Sequence, residues 1–130
     1  MTSQPIPTEG PSSTAPAVSC AVEERRDGDI SVVAVSGTVD MLTAPRLEEA
    51  IRTATKSSPS AVVVDLSGVD FLASAGMGVL VASHNALQPA MRFAVVADGP
   101  ATSRPLKLVG IDDVVELFAT LDEALAAVRN

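Results

Sequence analysis

The strongest constraint on the fold is a short run of apolar residues, AVVVDL, at positions 61–66. Because β-branched residues occupy both faces of this run, it predicts a central strand of a parallel sheet that is covered on both sides. A helical pattern over 74–87 follows after a short loop. The apolar stripe of that helix consists of Met77, Leu80, Val81 and Leu87.

The rest of the chain repeats this alternation of strands and helices. Asp27-Gly28 joins the first two strands and is typical of a tight hairpin, whereas strands joined by a helical crossover pair in parallel. The sequence therefore predicts an α/β fold, a single small domain with a mixed four- to five-stranded sheet packed with about four helices. The other predicted strands are 20–24, 30–36, 93–97 and 114–118, and the other predicted helices begin at Thr43, Thr102 and Thr120.

The first 18 residues differ from the rest in composition. Residues 1–18 are rich in Pro, Ser and Thr and have no apolar periodicity, which predicts a flexible tail. The folded domain is expected to span 19–130, a length that suffices for one hydrophobic core. The N-terminus has no basic segment followed by an apolar one, and no apolar stretch approaches the ~20 residues needed to cross a bilayer. A cytoplasmic protein without membrane contact is expected.

Composition argues against several classes of function. The chain has three Phe, no Trp or Tyr and a net charge of -7, so we expect no direct binding of nucleic acid, which needs basic or stacking surfaces. Cys20 is the single cysteine and belongs to no metal-ligand spacing. We therefore expect no metal and no cofactor, and a protein as the partner.

The most informative segment lies where the central strand leads into the helix, DLSGVDFLASAGMGVL at 65–80. Ser74 is expected at the N-cap of the helix, and from spacing alone capping is its favoured role. Gly76 and Gly78 in the first turns each cost about 1 kcal/mol relative to Ala. That cost indicates a close approach to this backbone or an unusual backbone angle.

This segment resembles the signature of the STAS-domain anti-sigma factor antagonists, Asp-Ser-Ser/Thr-Gly-Leu-Gly, in which the first Ser is the phosphorylation site. Ser74 corresponds to that Ser, Gly76 and Gly78 to the two glycines, and Met77 replaces Leu. The sequence departs from the signature at the residues on either side of Ser74, which are Ala73 and Ala75.

A second resemblance lies upstream, where GTVD at 37–40 is similar to the family's Gly-Glu-Leu-Asp. The family's Asp lies at the surface that contacts the anti-sigma factor, and it corresponds to Asp40. From the residues alone, an ordinary loop carboxylate at a strand end is an equally good interpretation of Asp40. The resemblance covers about 20–129. The partner-binding residues it implies are Thr38, Asp40, Ser74, Ala75, Gly76, Met77 and Gly78.

The resemblance implies that the protein regulates by exchanging binding partners and has no catalytic site. The unphosphorylated protein, a monomer or weak dimer, binds an anti-sigma factor and so frees a sigma factor. That anti-sigma factor is a serine kinase with the histidine-kinase-like ATPase fold. It phosphorylates Ser74, which releases the complex, and a PP2C-type phosphatase reverses the modification.

Alternatives stay open within and beyond this family. One is a STAS scaffold or stressosome-type subunit that never meets an anti-sigma factor. Another is a STAS module with weak nucleotide binding, although Gly76-Met77-Gly78 lacks the Walker Lys and the G-x-G-x-x-G spacing. A serine hydrolase is not expected, because Leu72 stands where a nucleophile elbow needs Gly and the sole histidine, His84, lies nearly three turns along the same helix.

Overall fold

The computed structural model describes residues 20–129, which form one five-stranded sheet with strands in sequential order. The strands are β1 Cys20–Asp27, β2 Ile30–Val39, β3 Ala61–Leu72, β4 Arg92–Val96 and β5 Glu116–Phe118. The helices are α1 Ala44–Ala54, α2 Ser74–Leu87, α3 Ser103–Leu108 and α4 Leu121–Arg129, with single 3₁₀ turns at Thr55–Ser57 and Ile111–Asp113. The predicted tail, 1–18, lies outside the described residues.

The sheet is mixed, as predicted. β1 pairs antiparallel with β2, and all other neighbouring strands pair in parallel. Four helices accompany the five strands, so the predicted α/β class and architecture are confirmed. Gly28 has a φ of +62°, the left-handed conformation that the predicted hairpin between β1 and β2 requires.

Helices cover both faces of the sheet, which explains why the central strands are apolar throughout. Helices α1, α2 and α3 lie on one face and α4 lies on the other. The first layer includes Leu47, Leu80 and Leu106 from the helices with Val33, Val64 and Phe93 from the sheet. The second layer includes Ala124, Leu125 and Val128 from α4 with Val32, Val63 and Val96 from the sheet.

The strands do not end where their apolar runs end. The predicted strand 61–66 continues to Leu72 and the predicted strand 30–36 continues to Val39, because the two ends pair with each other across two bulges. Apolar patterning reports burial, whereas these extensions depend on backbone pairing. Conversely, the predicted start of the last strand at Val114 is wrong, since a 3₁₀ turn precedes it and β5 begins at Glu116.

Helix α4, whose start is predicted at Thr120, begins with a capping box in a shifted form. The amide of Glu123 donates to Thr120 Oγ1 at 3.1 Å, as such a box requires. The Glu123 carboxylate accepts from the amide of Ala119 at 3.2 Å, one residue earlier than expected. The two hydrogen bonds fix the start of the helix that covers the second face.

Cys20 is 2% exposed at the start of β1. Burial raises the pKa of its thiol above the ordinary 9.0, against the lowering effect of Arg46. We therefore expect a thiol reagent at pH 8 to modify the native protein far more slowly than the urea-unfolded chain. Comparable rates in the two states would contradict the burial.

Because folding favours the protonated thiol, its contribution to stability is complete below pH 9.0 and is lost as the pH rises through the folded-state pKa.

Candidate protein-docking site

The carboxyl ends of β2 and β3 meet at one edge of the sheet. Thr38 pairs with Phe71 and Val39 with Leu72. The amide of Ala73 then donates to the carbonyl of Val39 at 2.8 Å. The loop that leads from β2 into α1 and the loop that leads from β3 into α2 therefore lie side by side.

Asp40 organises the first of these loops. Its Oδ1 accepts hydrogen bonds from the amides of Leu42 at 3.0 Å and Thr43 at 3.1 Å. Thr43 Oγ1 lies 3.2 Å from the same oxygen and 2.9 Å from the carbonyl of Thr38. Asp40 is half-buried, and its other carboxylate oxygen accepts no hydrogen bond from residues 20–129. Asp40 thus shapes the loop and keeps one oxygen for a further contact.

Ser74 is not the N-cap of α2, which corrects the prediction. The N-cap is Ala73, in an extended conformation with φ -86° and ψ 170°. Its carbonyl already accepts from the amides of Gly76 at 3.0 Å and Met77 at 3.2 Å, because the hydrogen bond from Ala73 to β2 turns the chain into the helix one residue earlier. The hydroxyl of Ser74 is exposed and caps nothing in the described part of the chain.

The two glycines of α2 have different physical roles. A Cβ on Gly76 would lie 2.5 Å from Val39 Cγ1 and 2.8 Å from Leu72 Cδ1, so only glycine lets α2 approach the ends of β2 and β3. A Cβ on Gly78 would meet nothing within 4 Å, and Gly78 is exposed. The close approach that the glycines predicted is therefore an approach of α2 to the strand ends at Gly76. Gly78 instead leaves the surface of α2 open.

The structure brings the predicted site residues to one edge but exposes them unequally. Gly76 is buried and acts through packing. Ser74 and Gly78 are exposed. The remaining predicted residues, Thr38, Asp40, Ala75 and Met77, are half-buried.

Three large apolar residues at this edge are not among the residues predicted for the site. Met41 is 77% exposed, Leu42 is 83% exposed and Phe71 is 54% exposed. We call these three residues the apolar rim. Exposed apolar side chains grouped beside polar ones are typical of protein-binding surfaces. The sequence contains a signal for two of them, since Met41 and Leu42 precede α1 and do not belong to its apolar stripe, which includes Leu47, Ile51 and Ala54.

Two acidic side chains stand beside the apolar rim. Asp40 lies at the end of β2, and Asp70 is exposed near the end of β3, with Oδ1 3.5 Å from Thr38 Oγ1. The N-terminus of α2 points to the same edge and carries the positive end of the helix dipole. The surface therefore combines apolar contact area, two carboxylates and an exposed hydroxyl at a helix N-terminus.

Other kinds of site find little support in the described part of the chain. His84 is half-buried and packs edge-on against Phe93, with ring centroids 6.4 Å apart. His, Cys, Asp and Glu side chains of residues 20–129 form no group of three or more that would hold a metal ion. Over the same residues, no helix has the length and apolar character needed to cross a bilayer.

Comparison with known proteins adds independent findings. Residues 21–124 match the STAS domain family model. The anti-sigma-F factor antagonist RsfB of Mycobacterium tuberculosis is 42% identical over 101 residues, which are 78% of this chain and 83% of RsfB.

Solved structures agree with this match. The crystal structure of an anti-sigma factor antagonist from Mycobacterium paratuberculosis has a TM-score of 0.83 and 47% identity, and covers 86% of this chain and 96% of that chain. The anti-sigma factor antagonist SpoIIAA, in its unphosphorylated form, has a TM-score of 0.66 at 18% identity, covering 84% of this chain and 96% of its own. The latter likeness concerns the fold alone.

The two glycines of α2 make a matched pair for a stability test. Gly76→Ala should destabilise the domain by about 1–3 kcal/mol, because the added methyl group forces Val39 and Leu72 apart. Gly78→Ala should stabilise it by up to about 1 kcal/mol, since the space is open and Ala favours the helix. Urea unfolding of both variants measures the difference. A Gly76→Ala protein as stable as wild type would disprove the close approach.

Proposed function

The chain belongs to the STAS domain family, and we propose that it acts as an anti-sigma factor antagonist that binds an anti-sigma factor and thereby frees a sigma factor. The observation that carries the proposal is the exposed Ser74 at the N-terminus of α2, on the same edge as the apolar rim and Asp40. The relatives named as antagonists align over most of their length and of this chain. Such a protein would act in the cytoplasm, where sigma factors direct transcription.

The apolar rim supplies the contact area that a partner would bury. Each of its side chains is more than half exposed in the isolated chain, and burying a side chain of this size stabilises a complex by roughly 1.5–3 kcal/mol. The acidic side chains Asp40 and Asp70 then select a partner with basic groups around an apolar centre. Gly78 lets that partner approach the backbone of α2 closely.

Phosphorylation of Ser74 would switch this surface off. A phosphate adds about -1.5 to -2 charges, and the N-terminus of α2 stabilises such an anion, so the folded domain tolerates it. The same charge next to the apolar rim must be desolvated when a partner binds, which disfavours the complex. Because the Ser74 hydroxyl caps nothing in the described part of the chain, its modification breaks no cap.

The proposed cycle needs two enzymes besides this chain. The anti-sigma factor would itself be the kinase, a serine kinase with the histidine-kinase-like ATPase fold, and a PP2C-type phosphatase would restore the hydroxyl. The chain would be a substrate without catalysis of its own, since the single histidine, His84, packs against Phe93 away from Ser74. Ala73 and Ala75 replace polar residues of the family signature, so a kinase must position Ser74 mainly through its backbone and the apolar rim.

Ser74 substitutions test the switch. Ser74→Glu should weaken binding of the anti-sigma factor at least about tenfold, because it places a charge in the contact surface, whereas Ser74→Ala should bind like wild type. The partner is recovered by pull-down from host lysate, identified by mass spectrometry and titrated by calorimetry. Ser60→Glu, an exposed serine at the opposite end of β3, is the matched control and should bind normally. Equal binding by Ser74→Glu and Ser74→Ala would remove Ser74 as the regulator.

Leu42→Asp tests the apolar rim. Leu42 is 83% exposed, so the substitution should leave stability within about 0.5 kcal/mol of wild type. Loss of an apolar anchor should weaken binding of the same anti-sigma factor by about tenfold to a hundredfold. Val114→Asp, at an exposed apolar residue away from this edge, serves as the control in the same titration. If both variants bind like wild type, the apolar rim is not the contact surface.

A further inference from the structure

A second surface groove lies along the outer side of α3. Its volume is about 460 Å³, and its lining residues are Gly99, Pro100, Ser103, Arg104, Lys107 and Leu108. We call it the α3 groove. It shares no residue with the proposed contact surface for an anti-sigma factor, so its chemistry has to be explained separately.

The charge of the α3 groove is opposite to that of the chain. The whole protein has a net charge of -7, but the charged side chains that line this groove are Arg104 and Lys107. Neither makes an ion pair with a residue of the described chain, whereas Arg26, Arg52, Arg92 and Arg129 do. The acidic residues closest in sequence are Asp98, which directly precedes Gly99, and Asp112 and Asp113, which follow α3. None of the three lines the groove, although Asp98 and Asp112 line a neighbouring depression together with Ser103 and Lys107.

The α3 groove also has apolar and hydrogen-bonding capacity that the fold does not use. Leu108 is 78% exposed, and Val109, which follows it, is 61% exposed. Ser103 is only 9% exposed and lines the groove, yet its hydroxyl makes no hydrogen bond with residues 20–129. The groove therefore suits an occupant with apolar side chains and carboxylates.

The complement of this groove is present on the same chain. The apolar rim, Met41, Leu42 and Phe71, is flanked by the carboxylates of Asp40 and Asp70. Arg104 and Lys107 lie beside exposed apolar residues of the α3 groove. Asp40 and Asp70 lie beside the apolar rim, so the two surfaces are complementary in charge and both offer apolar contact area. We propose that the α3 groove binds the apolar rim of a second copy of this chain.

This contact joins two different surfaces. Two such contacts close a two-fold dimer if the geometry allows it, and otherwise the copies form a ring or an open chain. The contact covers the apolar rim of one copy. It follows, if the proposed function holds, that self-association and binding of an anti-sigma factor compete for that rim, so the antagonist is less available at high concentration.

Charge reversal tests the α3 groove. In sedimentation velocity over a concentration series, the wild-type protein should self-associate, and Arg104→Glu/Lys107→Glu should associate at least about tenfold more weakly. Arg25→Glu/Lys56→Glu is the matched control, because it changes the net charge equally at two other cations that make no ion pair in the described chain. A monomeric wild type at all concentrations, or an equal loss in both double variants, would overturn the proposal.

Mixing two defective variants tests the pairing of the surfaces. Leu42→Asp lacks a working rim and Leu108→Asp lacks a working groove, so each should be monomeric alone. A mixture should associate, because each variant supplies the surface that the other lacks. Failure of the mixture to associate would refute the pairing of rim with groove.

The same variants separate this proposal from the proposed function. Arg104→Glu/Lys107→Glu should bind the anti-sigma factor at least as tightly as wild type, since the groove lies outside that contact and a second copy no longer competes for the rim. If the double variant loses the anti-sigma factor while self-association is unaffected, the groove belongs to that interface and the self-association proposal is wrong. Self-association through the groove without binding of any anti-sigma factor would instead refute the proposed function alone.

Discussion

The close approach of α2 to the ends of β2 and β3 is the contact on which the rest of the site depends. Gly76 permits it, because any side chain there would collide with Val39 and Leu72. The hydrogen bond from Ala73 to Val39 then starts the helix directly above the strand ends. As a result, Ser74 points its hydroxyl to solvent, and the loop of Asp40 lies beside it. A looser helix would leave these residues without a common surface.

This arrangement is also compatible with the switch proposed for Ser74. The core is sealed by helices on both faces of the sheet, so its stability does not require the apolar rim to be buried. In the proposed switch, the helix N-terminus would stabilise an added phosphate, while desolvation of that charge beside the apolar rim would disfavour the complex. On that proposal, the fold tolerates a modification that its complex does not.

Several elements could be predicted because their signals are local. The continuous apolar run at 61–66, the hairpin at Asp27-Gly28 and the Thr120 box each reflect constraints within a few residues, and all three are present. The extension of β3 to Leu72 was missed because it rests on pairing with β2, which lies more than thirty residues away in sequence. The N-cap was misplaced for the same reason, since the hydrogen bond that the amide of Ala73 donates to β2 decides where α2 begins.

The sequence by itself determined the α/β class, the order of the elements and the position of Ser74 at the start of a helix, because periodicity, turn residues and the glycine motif act over short range. Only the tertiary structure decided which apolar residues remain outside the core. Phe71 is as apolar as a core residue, yet it projects from the end of β3, where no other element of the described chain covers it. Met41 and Leu42 lie beside it in the loop after β2 and are exposed as well. Whether a residue is buried depends on which elements pack against it, and contacts between distant segments of the chain decide that packing.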